Sequence, residues 1–81
     1  MTVFVLYFAS LKDRTGLGRE SVDLPEGATV AELWETLTHR HVGLAGFTAR
    51  PLVACDKAYA AWDTRLDGVS EVAFLPPFSG G

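Results

Sequence analysis

"TVFVLYFA", residues 2–9, is apolar on both of its alternating faces. In an extended chain Val3, Val5 and Tyr7 point one way and Phe4, Leu6 and Phe8 the other. A strand apolar on both sides belongs in the middle of a sheet rather than at its edge. One face must be covered by the rest of the chain. The other must meet something else.

Outward from this strand, "SLKDRTG" (residues 10–16) carries charge and a Gly16 stop, which suits a short helical turn. "RESVDL" (19–24) alternates, with Val22 and Leu24 inward and Ser21 and Asp23 outward, so it reads as a half-solvated strand ended by Pro25. In "PEGATVAELWETLTHRHVG" (25–43), Thr29 and Glu32 have the spacing of a capping box. Val30, Leu33, Trp34, Leu37 and His41 then recur at helical spacing along one apolar face. Glu32, Glu35 and His39 lie off that face, and Gly43 is expected to close the helix at C′. "LAGFTAR" (44–50) reads as a connector closed by Pro51. "LVAC" (52–55) and "AYAAW" (58–62) read as short strands around an Asp56-Lys57 turn, "DTRLDGVS" (63–70) as turns, and "EVAFL" (71–75) as the last strand.

The order is strand, strand, helix and three strands. One main helix against a mixed sheet, with strongly apolar first and last strands, makes a small α+β roll. The expectation is a single domain over residues 1–81, extended as a tail from about residue 75.

Composition narrows the function. A chain of 81 residues buries only about 60–65% of its unfolded surface, and a single cysteine, Cys55, offers no internal disulfide. A lone thiol fits a reducing, cytoplasmic compartment. Residues 1–9 are too short to span a bilayer and lack the basic start of a signal peptide. With net charge −3 and scattered Lys and Arg there is no basic stripe to track phosphates, so neither nucleic acid nor a membrane is an expected partner.

The tail is the chemical signal. In "EVAFLPPFSGG" (71–81), Pro76 and Pro77 lack an N–H, end sheet pairing and steer the chain outward. Gly80 and Gly81 have no side chains and can enter a channel that any Cβ would block. Pro76 to Gly81, fully extended, reaches roughly 20 Å. A carboxylate at such a tip is a poor electrophile until activated, most simply as an acyl-adenylate. The chain has no P-loop and no glycine-rich nucleotide fingerprint, so ATP would be used in trans by another protein.

This ending resembles the small subunit of molybdopterin synthase, a family that finishes on an apolar strand, Pro-Pro, two variable residues and Gly-Gly. "LYFASLKDRTG" (6–16) resembles the family's first strand and charged turn, and "ACDKAYAAWDTRL" (54–66) fits in order and length. The resemblance implies a ubiquitin-like β-grasp fold and a sulfur carrier. A ubiquitin-activating-type enzyme would adenylate Gly81, and a persulfide sulfur donor would convert it to a thiocarboxylate. The tail would then thread into the large synthase subunit, within a heterotetramer, and give its sulfur to cyclic pyranopterin monophosphate to build the molybdopterin dithiolene. Gly81 would be the reacting group and Gly80 its thin neighbour, with Pro76, Pro77, Phe78 and Ser79 as the guide. A thiocarboxylate is anionic and nucleophilic at neutral pH, so the carrier needs no catalytic His or Cys, and no cofactor of its own is implied. One departure stands out: the family's acidic "DGDEV" turn is "DGVSEV" here, with Val69 and Ser70 altering the loop and Glu71 still matching.

The resemblance also assigns Phe8, Tyr59 and Leu75 to the subunit interface, against a core thickened around residues 44–50. It gives Lys12 a basic interface position, against a merely solvated lysine. Trp62 reads equally as core or surface anchor. Cys55, without a basic neighbour in sequence, reads as an inert thiol, and His39 and His41 as helix-end residues without metal-ligand spacing. The competing readings are a carrier for thiamine synthesis or tRNA thiolation, a protein modifier that joins Gly81 to a lysine, and an interaction module with an idle tail.

Overall fold

The computed structural model describes residues 1–46 and 50–77. β1, Thr2–Tyr7, lies inside a five-stranded sheet. It pairs antiparallel with β2, Arg19–Asp23, on one side and parallel with the last strand, Glu71–Leu75, on the other. The sheet is completed by Leu52–Cys55, antiparallel to that last strand, and by Ala58–Tyr59 at the edge. In chain order these three are β3, β4 and β5, and the spatial order is β2-β1-β5-β3-β4.

The two faces of β1 separate as their alternation requires. Val3, Val5 and Tyr7 are buried, whereas Phe4 and Phe8 are each 44% exposed. The main helix, α2 (Val30–Arg40), sends Val30, Leu33 and Leu37 into one cluster with Val3, Val5, Val22, Val53, Val72 and Phe74. Each such side chain contributes about 1.5–3 kcal/mol on burial, so this face supplies most of the fold's stability. α2 begins where the sequence places it: Thr29 Oγ1 accepts from the Glu32 N–H at 3.3 Å, and the Glu32 carboxylate accepts from the Thr29 N–H at 3.1 Å. Trp34 and Trp62 are half-buried against the cluster, with their rings and that of Phe74 in mutual contact. For Trp62 the outcome is a core-edge residue, capped by the Arg50 guanidinium 4.5 Å above its ring.

A short helix, α1 (Ser10–Thr15), follows β1 and ends at Gly16, whose φ of 73° allows its N–H to reach the Lys12 carbonyl. The expected role of Gly43 is corrected. α2 stops earlier, at an extended His41 whose N–H donates to the Leu37 carbonyl, and Gly43 lies inside a further short helix, α3 (Val42–Ala45). Its missing side chain serves a close approach instead. A Cβ on Gly43 would lie 2.2 Å from the carbonyl oxygen of Arg14, and the Arg14 guanidinium donates to the Gly43 carbonyl at 3.1 Å. The stretch read as a connector therefore starts as helix, and Leu44 joins the core.

Candidate functional site

Because β1 and β5 run parallel, they leave the sheet at the same end. Tyr7 is the register partner of Phe74, and the Phe8 N–H donates to the Phe74 carbonyl at 3.2 Å. Phe8 is thus carried alongside the root of the tail. Leu75 is the last residue of β5, and Pro76 and Pro77, both half-buried, leave from it. Pro76 accordingly stands outside the ladder, as its missing N–H demands. Phe78, Ser79, Gly80 and Gly81 lie outside the described residues.

The uncovered face of the sheet carries a groove of about 520 Å³ lined by Leu6, Phe8, Ala54, Tyr59, Ala73 and Leu75, with Lys57 and Glu71 also on its walls. Register explains its shape. Leu6 pairs with Ala73, Ala73 with Ala54, and Ala54 with Tyr59, so one row across the sheet reads large, small, small, large. The two alanines form a trough floor and Leu6 and Tyr59 its sides. Tyr59 is 76% exposed. Apolar surface left open in this way makes the groove a candidate docking site.

Phe8, Tyr59 and Leu75 are therefore brought together, on the face opposite α2, rather than thickening the core. Lys12 is exposed on α1 and does not line the groove; its stem lies 3.6 Å from where a Cβ on Gly18 would be. The altered turn sits at the groove's far end from the tail. Val69 packs on the core, and the N–H groups of Ser70 and Glu71 donate to the Asp56 carboxylate at 3.2 and 3.0 Å. Asp56 and Lys57 have φ of 47° and 73°, the left-handed pair of a tight hairpin loop. The Asp56 clamp thus ties the β3–β4 hairpin, and Tyr59 with it, to the start of β5. Cys55 is half-buried, and burial together with the Asp56 charge pushes its thiol up, away from a reactive thiolate.

A polar cluster that the sequence reading missed lies on the helix side. Glu20 shares strand parity with Val22 and Leu24, and an inward carboxylate demands partners. They come from distant chain: Tyr7, Arg40 and His41 all converge on it. The parity of Glu20 was the available signal. A second hollow, along α2 between Leu24 and His39, mixes Leu24, Pro25 and Ala28 with Glu32, Glu35 and Thr36 and lies away from the tail. Among the described residues, no group of three or more His, Cys, Asp or Glu side chains is placed to hold a metal ion, and no helix is long and apolar enough to cross a membrane.

The sequence model of the ThiS family matches residues 5–81, a span that includes the groove residues and the Gly-Gly end. The chain belongs to the ThiS family. Within reach of this ThiS-family chain is the molybdopterin synthase sulfur carrier subunit of Homo sapiens, 33% identical over 82 residues, covering 98% of this chain and 93% of that one. Among solved structures, the putative molybdopterin converting factor, subunit 1, from Pyrococcus furiosus superposes with a TM-score of 0.81 at 27% identity, covering 96% of this chain and 99% of that one. The crystal structure of SAMP1 from Haloferax volcanii gives a TM-score of 0.86 at 25% identity over 100% of both chains. The fold is the ubiquitin-like β-grasp that the family resemblance implied, and it agrees with the α+β roll read from the element order.

Proposed function

We infer that this chain is the sulfur carrier subunit of a molybdopterin synthase. The observation that carries the reading is one of placement. The parallel pairing of β1 and β5 sets an open apolar groove and the root of a Pro-Pro-x-x-Gly-Gly tail at the same end of the sheet. A partner seated on Phe8, Tyr59 and Leu75 would have the root of the tail, Pro76 and Pro77, beside it. The relatives named as sulfur carrier subunits support the same assignment.

In this reading the Gly81 carboxyl is adenylated in trans by a ubiquitin-activating-type enzyme, with ATP losing pyrophosphate. The persulfide of a donor protein then displaces AMP to form an acyl disulfide, and a second thiol cleaves its S–S bond, becoming oxidised to a disulfide and leaving the thiocarboxylate. Within the large subunit, that sulfur is passed to cyclic pyranopterin monophosphate. The carrier contributes the nucleophile and the docking surface. The acid–base groups and the phosphate-binding residues belong to the partner.

The test is intact mass measurement of the protein after incubation with an activating enzyme, ATP and a sulfur donor. The expected product has sulfur in place of one oxygen, localised to the C-terminal peptide, since oxidation of Met1 or Cys55 gives a nearly equal nominal shift. Transfer to cyclic pyranopterin monophosphate on adding the large subunit completes the assignment. Conjugates to other proteins with an unsulfurated tail would make this a modifier instead. An inert tail, under conditions that charge a known carrier, would leave only the interaction module.

A further inference from the structure

Ala9 stands immediately before α1 with φ 51° and ψ −126°. These are the angles of the first central residue of a type II′ turn, a position that favours glycine because L side chains are strained there. The turn is closed, with the Leu11 N–H donating to the Phe8 carbonyl at 3.1 Å. Backbone hydrogen bonds fix it from both sides. The Phe8 N–H reaches Phe74 at 3.2 Å, the Tyr7 N–H reaches Gly18 at 3.0 Å, and the Asp13 N–H reaches Ala9 at 3.2 Å.

Among the described residues, the other non-glycine positions with positive φ are Asp56 and Lys57. That pair makes the hairpin loop carrying Tyr59 and is held by the Asp56 clamp. Both strained places therefore flank the groove, one at the Phe8 end and one at the Tyr59 end. Strained backbone persists where the surroundings over-determine it, and such places gather at binding surfaces. The Ala9 turn also has a visible effect. Within four residues the chain passes from buried Tyr7, through Phe8 on the groove, to Leu11 at 0% exposure in the core.

We propose that Ala9 is a positioning residue for the groove: its glycine-type backbone holds Phe8 at the tail end of the docking surface, in the arrangement that the partner binds. The proposal rests on the sulfur-carrier reading for the identity of that partner, the large synthase subunit. Affinity then follows the preference of residue 9 for positive φ. D-alanine is unstrained at these angles, L-alanine is strained, and a β-branched L-residue is nearly excluded.

The chain is short enough for chemical synthesis, so Ala9→D-Ala and Ala9→Val are compared with the unmodified protein. Ala9→D-Ala should fold more stably and bind the large subunit at least as tightly. Ala9→Val, measured where it is still folded, should bind about tenfold more weakly. In a Phe8→Ala background the dependence on residue 9 should vanish, because no side chain is left to position. Equal affinity across the series, or a dependence that survives Phe8→Ala, overturns the proposal. So does weaker binding by Ala9→D-Ala, which also decides the matter if Ala9→Val fails to fold.

A partner-free measurement separates this from the functional reading. Nuclear Overhauser contacts between the Phe8 ring and Leu75 should strengthen or persist in Ala9→D-Ala and weaken in folded Ala9→Val. Contacts unchanged in folded Ala9→Val, or weakened in Ala9→D-Ala, overturn the positioning role. If the variants show these effects but the unmodified protein does not bind the large subunit, the choice of partner fails and the positioning role stands.

Discussion

The hydroxyl of Tyr7 donates to Oε2 of Glu20 at 2.6 Å, joining the first strand of the chain to the second through their side chains. The same oxygen lies 2.5 Å from Nε2 of His41, and Oε1 accepts from Arg40 at 2.9 Å. One carboxylate thus ties the edge strand β2 to β1 and to the corner between α2 and α3. Burial works to raise the Glu20 carboxyl, but the hydrogen bonds from Tyr7, Arg40 and His41 outweigh it, and the group titrates below its ordinary value of 4.5. Burial first, and then the bond to Glu20, push the Tyr7 phenol well above its ordinary value.

Acid stability should depend on this cluster. A carboxylate depressed in the folded state contributes stability that is present above its unfolded value of 4.5 and is lost as pH falls through the lower folded value. Urea denaturation of Glu20→Gln across that window should show a flatter acid limb than the unmodified protein. Near neutral pH the substitution should cost about 1–3 kcal/mol, because Tyr7, Arg40 and His41 lose their charged acceptor. An unchanged acid limb would remove Glu20 as its source.

Tyr7 sets the opposite limb. A phenol raised by folding contributes stability that is present below its unfolded value of 10.0 and is lost as pH rises toward the folded value. Tyr7→Phe removes that titration, so its stability should fall less between neutral pH and strong alkali. At neutral pH the lost hydrogen bond to a charged group should cost about 1.5–3 kcal/mol. Parallel alkaline limbs in the two proteins would count against this.

Much of the fold is legible in the sequence because its signals are local. The two-sided apolar run of β1, the Val22/Leu24 alternation and the Thr29–Glu32 box each fall within a few residues. What was not legible depends on partners far along the chain. Gly43 reads as a helix terminator by composition, yet its role is set by Arg14, on another element. The trough floor, likewise, exists only once Ala54 and Ala73 are in register, and single alanines in two separate strands carry no signal of that. Phe8, Tyr59 and Leu75 are interface residues only by the family resemblance; parallel β1–β5 pairing sets Phe8 beside Leu75, and the antiparallel β5–β3–β4 ladder adds Tyr59.

Gly43 offers a sharp steric test. A Cβ there would meet backbone, the Arg14 carbonyl oxygen at 2.2 Å, which cannot swing aside as a side chain would. Gly43→Ala should force α1 and α3 apart and cost about 1–3 kcal/mol. Gly46→Ala is the control, because a Cβ on Gly46 meets nothing within 4 Å and its φ is −88°. Thermal melts should separate the two variants clearly, and equal melting temperatures would contradict the close packing.

Asp56 links the hairpin loop to the end of the groove. Its carboxylate accepts from Ser70 at 3.2 Å and from Glu71 at 3.0 Å while its own backbone is left-handed, with φ 47°. Asp56→Ala removes both acceptors and a residue type that tolerates that backbone, so it should cost about 1–3 kcal/mol. Asp56→Asn keeps an acceptor oxygen and the backbone tolerance, and should recover a large part of the loss. Chemical denaturation of the pair checks this, and equal losses would mean that the clamp acts through charge alone.

The groove predicts a separation of stability from binding. Tyr59 is 76% exposed and forms one side of the trough, so Tyr59→Ala removes little that folding uses. Its melting temperature should stay close to that of the unmodified protein. Binding to the large synthase subunit should weaken by about 30-fold or more, since a large aromatic side chain at the wall of an apolar trough has the character of an interface hot spot. Leu33→Ala is the converse. It empties a site at 0% exposure beneath the opposite face and should lose about 2–5 kcal/mol of stability, with little effect on the affinity of the molecules that remain folded. Calorimetric titration beside a melt of each variant reads both quantities. A Tyr59→Ala protein that melts early, or that binds as tightly as the original, would move the docking surface away from this groove.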